Sequence, residues 1–213
     1  MDLEELRRRV ARLEGRPVDT ATLETHEVLR GLVSVRAGGV YGVDAASLAL
    51  ALLAGPSSSG AWCGVVACPD LGLGAAAEWG VDLDRLVVVP DPGAAWWETV
   101  AALVDALTVV VACPPARVTQ REAARLAARL RTRQSVLAVW GEWPRCEARL
   151  SLVSSQWSGI GDGHGRLRSR RAVIEARADV TRRRRREVWL PGTDGTLGVV
   201  DEPAPVEALR GVS

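Results

Sequence analysis

The stretch Leu86–Pro115, LVVVPDPGAAWWETVAALVDALTVVVACPP, decides the fold. Leu86–Val89 is apolar at every position, the pattern of a strand buried on both faces. A Pro-Asp-Pro-Gly turn stops it. Ala94–Leu107 then sets Trp96, Val100, Leu103 and Leu107 on one helical face. Thr108–Ala112 is apolar throughout and is closed by Pro114 and Pro115. Strands that are apolar throughout and separated by helices read as members of a parallel sheet covered on both faces.

The same alternation extends to both sides. Upstream, Val33–Val40 reads as a β-type run, and Tyr41–Leu48 leads into an apolar helix at Ala49–Ala54. Gly55–Gly60, GPSSSG, reads as a turn-rich break. Cys63–Ala67 is a short apolar strand, and Leu73–Trp79 is a helix that Gly80 ends. Downstream, Thr119 is placed to cap the arginine-rich helix Gln120–Arg131, with Leu126 and Leu130 facing inward. Ser135–Trp140 is the next strand.

After Gly141 the pattern changes to alternation. Ala148–Gln156, a glycine-rich turn at Gly159–Gly165, Arg166–Ala176 and a short Glu187–Leu190 strand predict an antiparallel extension of the sheet. Leu3, Leu6, Val10 and Leu13 recur at helical spacing between charged residues, so residues 1–16 read as an amphipathic helix. Residues 17–190 read as the α/β domain, and 191–213 as a flexible tail rich in glycine, proline and acid.

Composition narrows the chemistry. The chain has 213 residues, is 47% hydrophobic and 25% charged, and carries a net charge of +1. That is enough apolar side chain for a packed core. Lys, Asn and Phe are absent, so all 27 basic residues are arginine. No residue can serve as a phosphate-loop lysine or form a Schiff base. The charged start, Met1–Arg16, is not a secretory leader, and the apolar run Ala45–Ala54 is too short to cross a bilayer, so a cytoplasmic location is expected. Cys63, Cys68, Cys113 and Cys146 lie mostly in apolar runs, a setting that argues against a disulfide framework. With only His26 and His164 to supplement them, no metal site is expected.

Several segments resemble the RecA recombinase core: VYGVDAASLALALLA, CGVVACPDLG, GVDLDRL followed by PDPG, DALTVVVA, and the antiparallel ARLSLVSSQW with GRLRSRRAVIEARAD. The likeness covers roughly residues 32–180 and implies a RecA-like α/β fold without the RecA C-terminal domain. The blocks SLALALLAGPSSSGAWCGVVACPDLG, QWSGIGDGHGRLRSRR and VWLPGTDG are more specific. They resemble the actinobacterial ImuA-type proteins, RecA-like accessory factors of SOS-induced error-prone translesion synthesis. That resemblance implies an adaptor that binds an ImuB-type inactive Y-family polymerase homologue. It also implies an indirect link to a DnaE2-type polymerase, and contacts with RecA and with DNA read without sequence. A modulator of RecA filaments and a SulA-type division inhibitor are the alternatives.

Against the RecA pattern, the phosphate loop is degenerate. Gly42, Asp44 and Ser47 stand where a longer loop would carry Gly-Lys-Thr, and Asp44 adds negative charge near the phosphate position. The resemblance places the catalytic carboxylate, expected after the second strand, near Cys68-Pro69, and the Walker-B acid, expected after Val109–Val111, on Ala112-Cys113. No nucleotide cofactor and no catalytic activity are expected, since phosphoryl transfer relies on charge stabilisation at all three places. Asp162, His164 and Ser158 lie together only in the glycine-rich turn, which suits backbone demands better than a preorganised triad.

Binding surfaces remain. The seam Leu3, Leu6, Val10 and Leu13 suits a partner or internal packing. Arg166, Arg168, Arg170, Arg171 and Arg182–Arg186 form a dense cationic block. Within it, Arg166, Arg168 and Arg170 share a strand face, and Arg182, Arg183, Arg184, Arg185 and Arg186 are consecutive. Such a block suits phosphates or an acidic protein segment. Of the eight tryptophans, Trp62, Trp79, Trp96, Trp140 and Trp189 read as core, and Trp97, Trp143 and Trp157 as free for an interface. His26 has no evident partner in the sequence.

Overall fold

The computed structural model of the chain describes residues 21–161, 164–178 and 182–200. Among them, nine strands form one mixed sheet in the order β3-β2-β4-β5-β1-β6-β7-β8-β9. The parallel half contains β1 (Val40–Val43), β2 (Cys63–Val66), β3 (Leu86–Val89), β4 (Val109–Ala112) and β5 (Val136–Trp140). β6 (Ala148–Gly161) joins parallel to β1 through Ala148, Arg149 and Leu150. β7 (His164–Arg177), β8 (Arg183–Trp189) and β9 (Gly198–Val199) then add antiparallel. The expected α/β architecture, a mostly parallel sheet with an antiparallel C-terminal side, is the one observed.

Alternation along each parallel strand feeds two separate apolar layers. Tyr41, Val43, Val65, Val109, Val111, Val136 and Ala138 point to one face. There they meet helix α1 (Ala46–Ser58), the neighbourhood of α2 (Leu73–Glu78) and the 3-10 turn Glu27–Leu29. Val40, Val66, Val110, Ala112, Leu137 and Val139 point to the other face, which α3 (Trp96–Ala106) and α4 (Gln120–Arg133) cover. Helices on both faces explain why the parallel strands carry no polar side.

α1 is apolar around its whole circumference and is buried from Ser47 to Ser57, because the sheet lies on one side and residues 27–35 on the other. The sequence breaks at Gly55–Gly60, yet the helix runs on through Pro56 to Ser58. The Ser58 hydroxyl contacts the carbonyls of Ala54 and Gly55, two of those left open near the helix end. Gly55 is required by packing: a Cβ there would lie 2.6 Å from the backbone nitrogen of His26.

Other details depart from expectation. Only Val40 of the Val33–Val40 run belongs to a strand; Ser34 and Arg36 are instead bridged by the Tyr41 hydroxyl, which accepts from the Arg36 N–H and donates to the Ser34 carbonyl. α3 buries Trp96, Val100 and Val104, while Leu103 and Leu107 flank that stripe. The last long strand starts at Arg183 rather than Glu187. Residues 191–200 pack against the sheet, with Leu197 buried and β9 paired to β8. The amphipathic segment 1–16 lies outside the described residues.

Thr119 caps α4 as expected: its side chain accepts from the Glu122 N–H, and the Glu122 carboxylate accepts from the Thr119 N–H. Asp105 of α3 is held by Arg129 and Arg133 of α4, locking the two helices of that face together. Those guanidiniums, Arg129 foremost, hold the Asp105 carboxyl down at about 2.

Candidate functional site

Two regions concentrate polar and reactive groups: the carboxyl edge of the parallel strands and the arginine-bearing ribbon beyond it. In an open α/β sheet the carboxyl edge is where ligands bind, most often where neighbouring strands send their helices to opposite faces. Here β2 is followed by α2 on one face, while its neighbours β3 and β4 are followed by α3 and α4 on the other, so that divergence flanks β2 on both sides.

The link from β1 to α1 consists of Asp44 and Ala45 alone. Asp44 Oδ1 accepts a hydrogen bond from the Leu152 N–H at 3.1 Å, so the carboxylate fastens this turn to β6 beside a bulge in the β6–β7 ladder. Ala45, at the N-cap, offers no side-chain cap to α1. The Ser47 hydroxyl in the first helical turn is buried and has no hydrogen-bond partner among the described residues. Gly42 leaves room for the Arg149 guanidinium: a Cβ at Gly42 would lie 2.9 Å from Arg149 Cζ. Arg149 also donates to the Gly141 carbonyl after β5. Sequence reading missed Arg149, because nothing local marks a strand residue whose side chain crosses its neighbour.

At the β2–β4 divergence, Cys68 and Cys113 touch, with their Sγ atoms 3.1 Å apart. Trp96 Nε1 donates to the Cys113 carbonyl at 2.8 Å, and Trp97 and Trp143 continue an aromatic group from Trp96. Trp143, expected to be free, is buried, while Trp62, expected in the core, is 49% exposed. His26 does have a partner: its Nδ1 accepts from the Val28 N–H and caps the 3-10 turn.

The ribbon is the outer half of β6 and β7. From Ser158 and Ser169 to its tip it is two-stranded, since β8 pairs with β7 from Arg171 and the Arg170 backbone still exchanges hydrogen bonds with Leu190 and Pro191. Trp157, Ile160 and Leu167 are exposed on it. Arg170 lies over the Trp157 ring at 5.5 Å, and burial lowers its pKa. Arg166 and Arg168 are exposed, and among the described residues no ion pair engages them. A register shift between Ser158 and Ile160 interrupts the regular ladder that would align Arg166, Arg168 and Arg170. Asp162 lies outside the described residues, so the Ser158, Asp162 and His164 grouping has no geometry here.

The arginine run on β8 does not form one patch. Arg184 and Arg186 pair in register with Ala176 and Ile174, whose side chains enter the first apolar layer. They donate to backbone carbonyls there: Arg184 to Gly31, and Arg186 to Glu27 and Arg30. The odd-numbered residues pair with the opposite side. Arg185 and Arg177 both clasp Glu175, whose side chain is 6% exposed. The Arg185 guanidinium is the main reason that carboxyl is held below its ordinary range. Arg171 pairs with Glu187. Arg183 is exposed and outside these pairs, and Arg182 is exposed as well. The seam Leu3, Leu6, Val10 and Leu13 lies outside the described residues. Among the described residues no helix is long and apolar enough to cross a membrane.

Fold and surfaces together define an α/β protein with a doubly covered parallel core and an antiparallel wing that projects a cationic, aromatic ribbon. The chain belongs to the family of the MT3502 N-terminal domain, whose model matches residues 28–145. It is 37% identical over 152 residues to the uncharacterized protein Rv3395c of Mycobacterium tuberculosis, an alignment that covers 70% of this chain and 74% of that protein. The family match runs from the Glu27–Leu29 turn to the residues after β5, so it contains the carboxyl edge but not the ribbon.

Proposed function

We propose that this chain is a non-catalytic, RecA-like adaptor of ImuA type, serving SOS-induced error-prone translesion synthesis. It acts by holding an ImuB-type inactive Y-family polymerase homologue and by meeting RecA or DNA through its ribbon. The observation that carries the reading is the Asp44–Ala45 link. Two residues do not make a loop of backbone N–H groups around a triphosphate, and the Asp44 carboxylate already serves β6. A nucleotide arriving there would meet a carboxylate and no lysine. Arg149 is the nearby cation, and it is engaged with the Gly141 carbonyl.

A second support lies at the β2 and β4 ends. The positions where the RecA likeness would put catalytic acids hold Cys68 and Cys113 instead. The ribbon supplies what an adaptor needs: exposed Trp157 for stacking, with Arg166 and Arg168 for phosphate or acidic side chains. The place of action is the cytoplasm, on the nucleoid after DNA damage.

The test is copurification of the full chain with an ImuB-type protein, beside a titration with fluorescent ATP and magnesium. Stable co-elution with no nucleotide binding is the expected result. Saturable nucleotide binding abolished by Ser47→Tyr would overturn the non-catalytic part. Failure to co-elute, together with altered RecA filament lifetime or filamentous cells on overexpression, would replace the adaptor by one of the other two readings.

A further inference from the structure

We propose that Cys68 and Cys113 form a reversible, peroxide-sensitive thiol–disulfide couple that bridges the carboxyl ends of β2 and β4. This goes beyond the adaptor reading and does not depend on it.

The geometry is built for the step. Val66 pairs with Ala112 across the two strands, so the cysteines follow paired residues by two positions and one. Their sulfurs stand 3.1 Å apart. A small side-chain rotation brings them to a bond length of about 2.05 Å. Both backbones are held: the Cys113 N–H donates to the Val66 carbonyl, the Cys113 carbonyl accepts from Trp96, and the Ala67 N–H donates to Val89. Ala67 itself has φ +56°, the left-handed region that a residue with a Cβ enters only under constraint. That turn directs the Cys68 side chain back toward β4.

The four cysteines differ in reactivity. Cys63 is fully buried, and burial pushes its thiol up to about 12. Burial raises Cys146 too. Cys113 is only half-buried, and its thiolate is favoured because the Cys68 thiol donates to it. Cys68, 5% exposed, keeps its proton in return. An accessible thiolate with a thiol in contact is the arrangement of a reacting and a resolving cysteine.

The oxidant is hydrogen peroxide. The Cys113 thiolate attacks one peroxide oxygen, the O–O bond breaks, and the departing hydroxide takes up a proton to become water. Cys113 is left as a sulfenic acid. The Cys68 sulfur then attacks the Cys113 sulfur, the S–O bond breaks, and the leaving hydroxide takes the Cys68 proton as a second water. Two thiols and one peroxide become one disulfide and two waters; the sulfurs are oxidised and the peroxide is reduced. A dithiol reductant reverses the change by exchange.

The experiment uses the reduced full chain in chelator-containing buffer, treated with one equivalent of hydrogen peroxide, alkylated, digested and mapped by mass spectrometry. The expected product is a single Cys68–Cys113 cross-linked peptide pair, two hydrogens lighter than the thiol forms and lost on adding dithiothreitol. Cys63 and Cys146 stay alkylatable after unfolding. In Cys68→Ala, a cyclic dione traps a sulfenic acid on Cys113. The proposal fails if Cys68 and Cys113 both remain alkylatable at a dose that oxidises a free dithiol, or if links through Cys63 or Cys146 form in equal yield. The wild-type map alone decides this, whatever the variant's folding.

Discussion

Asp105 holds Arg129 and Arg133 and so ties α3 to α4. Its folded pKa, about 2, lies below the ordinary 3.8. Protonation therefore favours the unfolded chain, and the stabilisation is complete above the unfolded value and lost as pH falls through the folded one. Asp105→Asn is expected to lower the thermal midpoint at neutral pH, by a small amount because the arginines are half exposed. The gap between wild type and variant should close as pH drops from 3.8 toward 2. A gap that stays constant over that window would show that Asp105 acts by shape rather than charge. At this scale, residues acting on near neighbours were legible. Thr119 and Glu122 stand at capping-box spacing. Asp44 was not legible, because its partner Leu152 is more than a hundred residues away. Cys68 and Cys113 were legible one by one, but only the β2–β4 pairing puts them in contact.

At the scale of elements, strong periodicity was read correctly, as were the stops at Gly80 and Pro90, and the Gly55–Gly60 break was not. The Val-rich strands and α4 follow their patterns. α1 overrides Gly55-Pro56 because burying an all-apolar helix outweighs the propensity of two residues. The arginine run shows the converse limit: composition suggested one cationic surface, and a strand's period of two divides it between two faces. Arg184 and Arg186 therefore have a structural duty, fastening β8 to residues 27–31. The double change Arg184→Ala, Arg186→Ala removes two guanidiniums that make three charge-assisted contacts at partly exposed sites, about 1 kcal/mol per side chain. Amide exchange at residues 27–31 should accelerate roughly thirtyfold, taking about 1.4 kcal/mol per decade. Unchanged exchange there would mean the carbonyl contacts carry no stability. Changing Arg166 and Arg168 should leave this exchange unaltered, so DNA or partner binding is better tested on those two positions than on the β8 run.

For the whole molecule, the layered α/β plan with an antiparallel side was readable from the switch between all-apolar and alternating strands. The strand order was not, since any one strand's sequence is silent about its neighbours. That order has a consequence for how the chain matures. β1 is the first of the described strands along the chain, and it sits in the middle of the sheet between β5 and β6. During synthesis its partners emerge from the ribosome only after most of the chain has been read, so β1 waits as an open template with both hydrogen-bonding rims bare. A fragment stopped at residue 145 keeps β5 but lacks β6, leaving the rim of Tyr41, Gly42 and Val43 uncovered. Such a fragment should scatter light and sediment as aggregates, while one reaching residue 200 should run as a folded species. A soluble, cooperatively melting 21–145 fragment would refute this. For a nascent polypeptide of this design, the most hazardous interval is the one just before the sixth strand clears the exit tunnel.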